Sequence, residues 1–160
     1  MLCAGSRGAG LPHQGWAAAI LGEIMTLSAP TILLTAVATV LAILVSLGMG
    51  ILVARTRRRV GIWPPAMTGA PELERALRVQ GNTLEQFAIF VPSLWLAALY
   101  FQGWFPPALG LVWSLGRIVY AAQYLGDKKR NIGFGLTVYP TIILVILAII
   151  GIVQAWMANG

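Results

Sequence analysis

Long apolar runs, separated by short polar segments, give this chain its pattern. Residues 32–54 and 135–156 contain no charged side chain, and residues 87–101 form a third uncharged run. A helix that crosses a bilayer needs about 20 consecutive apolar residues, and the longer runs reach that length. We therefore expect four helices, at about residues 30–58, 71–101, 107–126 and 133–157. The pattern predicts an all-α integral membrane protein, folded as a four-transmembrane-helix bundle.

Polar side chains recur at helical spacing along the second of these helices, where it enters its apolar run. Arg78, Asn82 and Glu85 lie at positions i, i+4 and i+7, on one helix face. Charges at membrane depth are costly and usually face protein or a water-filled cavity. Arg78 and Glu85 could simply neutralise each other across a helix interface. A cation, an amide and a carboxylate in one row could also bind a zwitterionic small molecule with several amides, and we favour that interpretation.

A second polar row lies on the third helix. Arg117, Tyr120 and Tyr124 occupy positions i, i+3 and i+7. For Arg117 we favour a buried structural ion pair with an acid of the second helix, Glu74 or Glu85, over direct contact with a ligand. The tyrosines could be ligand contacts or part of the aromatic belt at the membrane interface.

Basic residues cluster in two loops, and this predicts the orientation of the chain. Arg55, Arg57, Arg58 and Arg59 close the first helix, and residues 128–130 follow the third. Cytosolic loops carry an excess of Lys and Arg, so we expect both loops on the cytosolic side and both termini on the opposite side. The two polar rows then converge near the cytosolic face.

Composition supports a membrane protein and argues against other classes. Of the 160 residues, 58% are hydrophobic and 10% are charged, whereas a soluble domain carries about 25% charged residues. The net charge of +6 reflects basic residues beside apolar runs, so we expect no nucleic-acid partner. The single cysteine, Cys3, excludes a disulfide within the chain, and we expect no metal. Residues 1–24 are expected to be a poorly structured extension of a membrane domain at 25–160.

With these residues in view, the chain resembles the MAPEG family, the membrane-associated proteins of eicosanoid and glutathione metabolism. The resemblance extends over about residues 25–156, including the number of helices and the placement of loops. It is carried by the following residues: Pro64-Pro65, Thr68-Gly69, Pro71-Glu72, Glu74-Arg75, Arg78, Gln80, Asn82, Glu85, Arg117, Tyr120, Tyr124 and Arg130.

The resemblance implies a four-helix bundle that forms a homotrimer and binds glutathione between neighbouring subunits near the cytosolic face. It implies that Arg130 stabilises the glutathione thiolate and that Tyr120 and Tyr124 contribute hydroxyl groups from the adjacent subunit. The remaining glutathione-binding residues that it implies are Arg57, Arg78, Gln80, Asn82 and Glu85. A hydrophobic electrophile or lipid would enter this site from the bilayer.

The activity implied is a glutathione transferase of the membrane, which conjugates the thiolate to hydrophobic electrophiles and can also reduce peroxides. The alternative within the family is a non-catalytic protein that binds lipid. A small four-helix transporter is a third class, but it would normally carry an acidic residue in the first helix, and residues 32–54 have none.

The sequence departs from the family pattern at one position and leaves two assignments open. Gln86 stands where the eicosanoid enzymes often have a tyrosine, so one hydroxyl contact is missing. Arg55 or Arg58 could take the role assigned to Arg57. Lys129 could take the role assigned to Arg130.

Overall fold

The computed structural model describes residues 29–101, 103–126 and 131–159, and this part of the chain is helical apart from short connections. Its helices are α1 (Ala29–Val60), α2 (Pro71–Tyr100), α3 (Phe105–Leu125) and α4 (Asn131–Asn159). Each helix begins and ends within two residues of the bounds expected from the sequence. The expected extension at residues 1–24 lies outside the described residues.

Three of the helices, α1, α2 and α4, are long and apolar enough to cross a membrane. Their outward surfaces expose large apolar side chains, such as Leu44 and Ile51 on α1 and Ile146 and Ile149 on α4. The remaining helix, α3, has 21 residues. This length corresponds to about 31 Å of helix, which is close to the thickness of a bilayer core. These features indicate an integral membrane protein.

The helices pack as an antiparallel bundle. Helices α1 and α4 each contact both α2 and α3, and α2 and α3 also contact each other. The two helices that carry the polar rows are therefore neighbours at the centre of the bundle. The ends of α1 and α3 and the starts of α2 and α4 lie together, because Val53, Leu73 and Leu125 share one apolar cluster and Gly133 bonds to Gln123.

An aromatic pair forms the core of the other half of the bundle. Trp113 of α3 is fully buried, and its ring stacks on Phe90 of α2 with 4.2 Å between centroids and 5° between planes. Small residues of α1, Ala38 and Ala42, pack against this pair. The stacked rings thereby join α2 to α3, and aromatic pairs of this kind contribute about 0.5–1.5 kcal/mol beyond the burial of their surface.

Glycines allow α3 and α4 to approach closely. A Cβ atom on Gly133 would collide with the backbone of Tyr120, and one on Gly116 would lie 2.7 Å from the Cβ of Leu136. Small residues at such positions let the backbones of membrane helices meet. The amide of Gly133 also donates a hydrogen bond to Gln123 Oε1, at 3.0 Å. The start of α4 is thus fixed against the segment of α3 that carries Tyr120.

Candidate functional site

The first polar row lines one groove, at the end of the bundle where α1 and α2 are joined. The groove has a volume of about 470 Å³, which is within the range of small-molecule sites. Its lining residues are Met67, Thr68, Glu74, Leu77, Arg78, Gly81, Asn82 and Glu85. All three residues of the predicted row therefore share one concave surface, with a second carboxylate, Glu74, beside them.

The charged groups of this groove are open to a ligand or a neighbouring molecule. Arg78 and Glu85 are exposed and Asn82 is half-buried. Within the part of the chain that the structure describes, Arg78 and Glu85 form no ion pair with each other, and the single ion pair joins Arg59 to Glu72 at 3.5 Å. Seven residues of helix separate Arg78 from Glu85 by about 10 Å along the axis, which keeps the two charges apart.

The loop between α1 and α2 forms one wall of the groove and is held at both ends by side chains. Arg57 Nη1 donates hydrogen bonds to the carbonyl oxygens of Ile62 and Ala66, at 3.3 and 2.7 Å. At the other end, the amide of Gly69 donates to Glu74 Oε1 at 3.3 Å. Arg57 thus contacts the backbone of this loop and is not among the residues that line the groove.

Arg117 lies at the centre of the bundle and is fully buried. Its Nη1 donates to Asn82 Oδ1 at 3.0 Å and its Nη2 donates to Thr83 Oγ1 at 2.6 Å. Its guanidinium also lies 4.4 Å from the centroid of the Tyr120 ring. The second polar row is therefore joined to the first through Asn82.

The structure does not bring Arg117 and Glu74 together, contrary to the structural ion pair expected from the sequence. Glu74 lies eight residues before Asn82 on α2, which is about 12 Å along the helix axis. Its carboxylate faces the loop, where it accepts from Gly69. Glu85, the other acid considered, lines the groove and forms no ion pair with Arg117 among the described residues. The partners of Arg117 are neutral oxygens and an aromatic face.

The two tyrosines of the second row lie together inside the bundle and outside the groove lining. Tyr120 is buried and Tyr124 is half-buried, with 5.6 Å between their ring centroids. Tyr120 packs with Met49 of α1 and Val79 of α2. A single chain therefore does not place these hydroxyl groups in the same groove as Arg78 and Glu85.

Other predicted residues are distributed around the same end of the bundle. Gln80 is half-buried beside Gly50 of α1, and Arg55 lines a separate, mainly apolar groove between α1 and α3. Gln86, at the position that departs from the family pattern, lines a third groove between α2 and α4. Arg130, with its alternative Lys129, lies outside the described residues.

Sequence reasoning did not single out Thr83 as a site residue. Its hydroxyl accepts from Arg117 and donates to the carbonyl oxygen of Val79, at 2.7 Å. The available signal was its position next to Asn82, on the side of α2 that faces the bundle. A buried threonine in a membrane helix usually satisfies its hydroxyl within its own helix, so this signal alone does not indicate a second partner.

These observations define a class of protein: a small helical membrane protein with an open groove lined by an arginine, an asparagine and two glutamates. Comparison with known sequences gives the family. The model of the MAPEG family matches residues 35–150, and the chain belongs to that family. This agrees with the resemblance found in its polar rows.

Individual relatives are similar over most of the membrane domain. An uncharacterized protein of Synechocystis is 46% identical over 121 residues, which cover 75% of this chain and 85% of the relative. Human microsomal glutathione S-transferase 2 is 39% identical over 106 residues, covering 66% and 72% of the two chains. Leukotriene C4 synthase of Cavia porcellus is 37% identical over 99 residues, covering 62% and 66%.

Proposed function

We propose that this protein is a membrane-bound glutathione transferase that conjugates the glutathione thiolate to hydrophobic electrophiles. The observation that carries the proposal is the single groove that Arg78, Asn82 and Glu85 line together. The family of the chain and the names of its relatives, a glutathione S-transferase and a leukotriene C4 synthase, support the same activity.

The groove offers groups that complement glutathione. Arg78 can bind a carboxylate with two parallel hydrogen bonds. Glu85 and Glu74 can accept hydrogen bonds from the ligand's ammonium group, and Asn82 can bond to a peptide group. Because Arg78 and Glu85 have no partner among the described residues, a ligand would not have to displace an existing ion pair.

The chemical step requires the thiolate, because a free thiol is mostly protonated at neutral pH and reacts poorly. In this proposal Arg130 supplies the positive charge that favours the thiolate. The sulfur then forms a C–S bond with an electrophilic carbon, and either a leaving group departs with its electron pair or an opened ring or double bond takes up the proton. With a peroxide as acceptor, the O–O bond is reduced while two glutathione molecules are oxidised to the disulfide.

The proposal includes a homotrimer with both basic loops on the cytosolic side and both termini opposite. Tyr120 and Tyr124 of one subunit would then complete the site on its neighbour, with Arg57 and Gln80 as further glutathione contacts. The open, charged groove supports a site between subunits, since charged side chains at membrane depth rarely face lipid. A hydrophobic acceptor would reach the thiolate laterally from the bilayer.

The decisive experiment measures thiolate formation by difference absorbance in the ultraviolet. Purified protein in detergent is titrated with glutathione at neutral pH, alongside Arg130→Ala, Lys129→Ala and Arg59→Ala. We expect a saturable thiolate signal that is lost in Arg130→Ala and kept in the other two variants. Arg59 serves as the control for loss of one positive charge, because its side chain is exposed, it is not among the residues that line the polar groove, and no glutathione contact is assigned to it.

Other outcomes would change the assignment. Loss of the signal only in Lys129→Ala would move the activating role to that residue. Saturable glutathione binding without a thiolate signal in the unmodified protein would favour the non-catalytic, lipid-binding function. An unmodified protein that does not bind glutathione would exclude the transferase.

A further inference from the structure

Asn82 belongs both to the polar groove and to the buried centre of the bundle. It lines the groove beside Arg78 and Glu85. Its side-chain oxygen Oδ1 simultaneously accepts a hydrogen bond from Arg117 Nη1, at 3.0 Å. Arg117 is fully buried and reaches Asn82 from α3. Arg117, which does not line the groove, can therefore influence which atoms of the Asn82 amide face it.

The contact with Arg117 determines which way the Asn82 amide faces. A guanidinium group has only donors, so the atom of the amide that meets it must be the oxygen. The amide nitrogen Nδ2 consequently points away from Arg117. It makes no hydrogen bond to a described residue, and it is not among the buried polar atoms without a partner. Its two N–H groups are thus available to a molecule in the groove.

Arg117 is itself held rigidly. Its Nη2 donates at 2.6 Å to Thr83 Oγ1, and the same hydroxyl donates to the carbonyl of Val79 at 2.7 Å. The ring of Tyr120 covers the guanidinium at 4.4 Å. Since arginine remains charged in proteins, it cannot reverse its role and accept from the amide. These contacts come from α2 and α3 together.

We propose that Arg117 is a positioning residue, which fixes the Asn82 amide with its N–H groups directed into the groove. The ligand must then present a hydrogen-bond acceptor, a carbonyl or carboxylate oxygen, at that point. A ligand with a donor group there is rejected, because two sets of N–H groups would face each other. This inference rests on the proposed function, in which the ligand is glutathione, a molecule that offers oxygens of both kinds.

The test is a double-mutant cycle on the dissociation constant of glutathione. Affinity is measured by equilibrium binding in detergent for the unmodified protein, Arg117→Gln, Asn82→Ala and the double variant, and thermal unfolding is recorded for each. We expect each single change to weaken binding about tenfold, and the double variant to bind no more weakly than Asn82→Ala alone. Such non-additivity distinguishes a residue that acts through Asn82 from one that only stabilises the fold.

Three further variants separate positioning from folding. Asn82→Asp keeps an acceptor for Arg117 but removes the donor, so we expect a folded protein with at least tenfold weaker glutathione binding. Arg117→Lys keeps a donor toward Asn82 and should recover part of the affinity lost in Arg117→Gln. Ser114→Ala removes a buried hydroxyl of α3 that bonds to Gly110 O at 3.0 Å, and should change unfolding without changing affinity.

Some results would overturn the inference. Additive losses in the double variant, or an Asn82→Asp protein that binds glutathione as well as the unmodified one, would show that Arg117 does not act through the Asn82 amide. If Arg117→Gln does not fold, Arg117→Lys replaces it in the double-mutant cycle, and Asn82→Asp still tests whether the amide donor is required. If the unmodified protein does not bind glutathione, the proposed function and this inference fail together, whereas additivity in a protein that binds glutathione rejects only the inference.

Discussion

Two arginines of this bundle, for which we propose a binding role and a positioning role, differ in burial. Arg78 is exposed in the groove and has no protein partner among the described residues, so its donors can meet a ligand. Arg117 is fully buried, and two of its nitrogens donate hydrogen bonds to neutral oxygens. Removing a cation from water is costly, and the hydrogen bonds from Arg117 to Asn82 and Thr83 offset part of that cost.

At the residue scale, Arg78→Ala tests the binding role. We expect glutathione affinity to fall about 10- to 100-fold, because a charged hydrogen bond to a ligand carboxylate contributes about 1.5–3 kcal/mol. Thermal unfolding should change little, since the side chain is exposed. Arg75→Ala is the matched control, as Arg75 has the same charge on the same helix but does not line the groove. Equal losses in both variants would point to net charge and not to a specific contact.

Helical spacing predicted which residues share a face, but it did not predict their partners across the bundle. The positions of Arg78, Asn82 and Glu85 fixed their common face, and the structure gives them a common groove. The partner of Arg117 depends on how far α3 is shifted along α2, which hydropathy does not encode. From the sequence we expected a carboxylate as the partner of this buried cation, whereas in the structure Arg117 donates to Asn82 and Thr83.

At the element scale, the loop between α1 and α2 depends on Arg57. Arg57→Ala removes the hydrogen bonds to Ile62 and Ala66, each worth about 0.5–1.5 kcal/mol. We expect faster hydrogen exchange in residues 61–70 even without glutathione, together with weaker glutathione binding because Met67 and Thr68 line the groove. The measurement is exchange followed by mass spectrometry.

Arg58→Ala is the control for this loop, because Arg58 neighbours Arg57 and is exposed. It should leave the exchange of residues 61–70 unchanged. If Arg57→Ala weakened glutathione binding without altering exchange in the free protein, Arg57 would act by direct contact with the ligand, as the family resemblance implies.

The contact between α3 and α4 depends on Gly133. Gly133→Ala would press a methyl group into the backbone of Tyr120, and overpacking of this kind costs about 1–3 kcal/mol. We expect a lower unfolding temperature in detergent. Gly48→Ala is the control, since a Cβ there would meet nothing within 4 Å and should stabilise its helix by up to about 1 kcal/mol. A Gly133→Ala protein as stable as the unmodified one would mean that the two helices can separate freely.

The helices could be predicted from the sequence, because only a few backbone structures are stable in lipid. A backbone in the bilayer must satisfy its own hydrogen bonds, so long apolar runs become helices. The ends followed from local chemistry: Pro71 suits the first turn of α2, and Gly61 ends α1 with φ of 71°. The close approach of α3 and α4 was harder to predict, because the sequence does not show which backbone a glycine such as Gly133 faces.

At the scale of the whole molecule, a single chain does not bring all the predicted site residues into one groove. The polar row of α2 lines the groove, whereas Tyr120 packs with Met49 and Val79, Tyr124 packs against the same cluster, and neither tyrosine is among the lining residues. Arg78 and Glu85 are exposed on a helix that is long and apolar enough to cross a membrane. In the trimer that we propose, a neighbouring subunit would cover these charges, and the sequence of one chain does not show where that subunit would lie.

Subunit complementation tests whether the site is shared. We expect Arg78→Ala and Arg130→Ala each to have little conjugating activity alone. When the two are co-expressed, and if Arg78 and Arg130 of one site come from different subunits, each trimer that contains both variants has one of its three interfaces restored to the unmodified pair. Purification through two different affinity tags, followed by a conjugation assay, measures this recovery. Co-expression of two differently tagged copies of Arg78→Ala is the control and should recover nothing. If the mixed protein stays as inactive as its parents although it carries both tags, both arginines of each site belong to one chain.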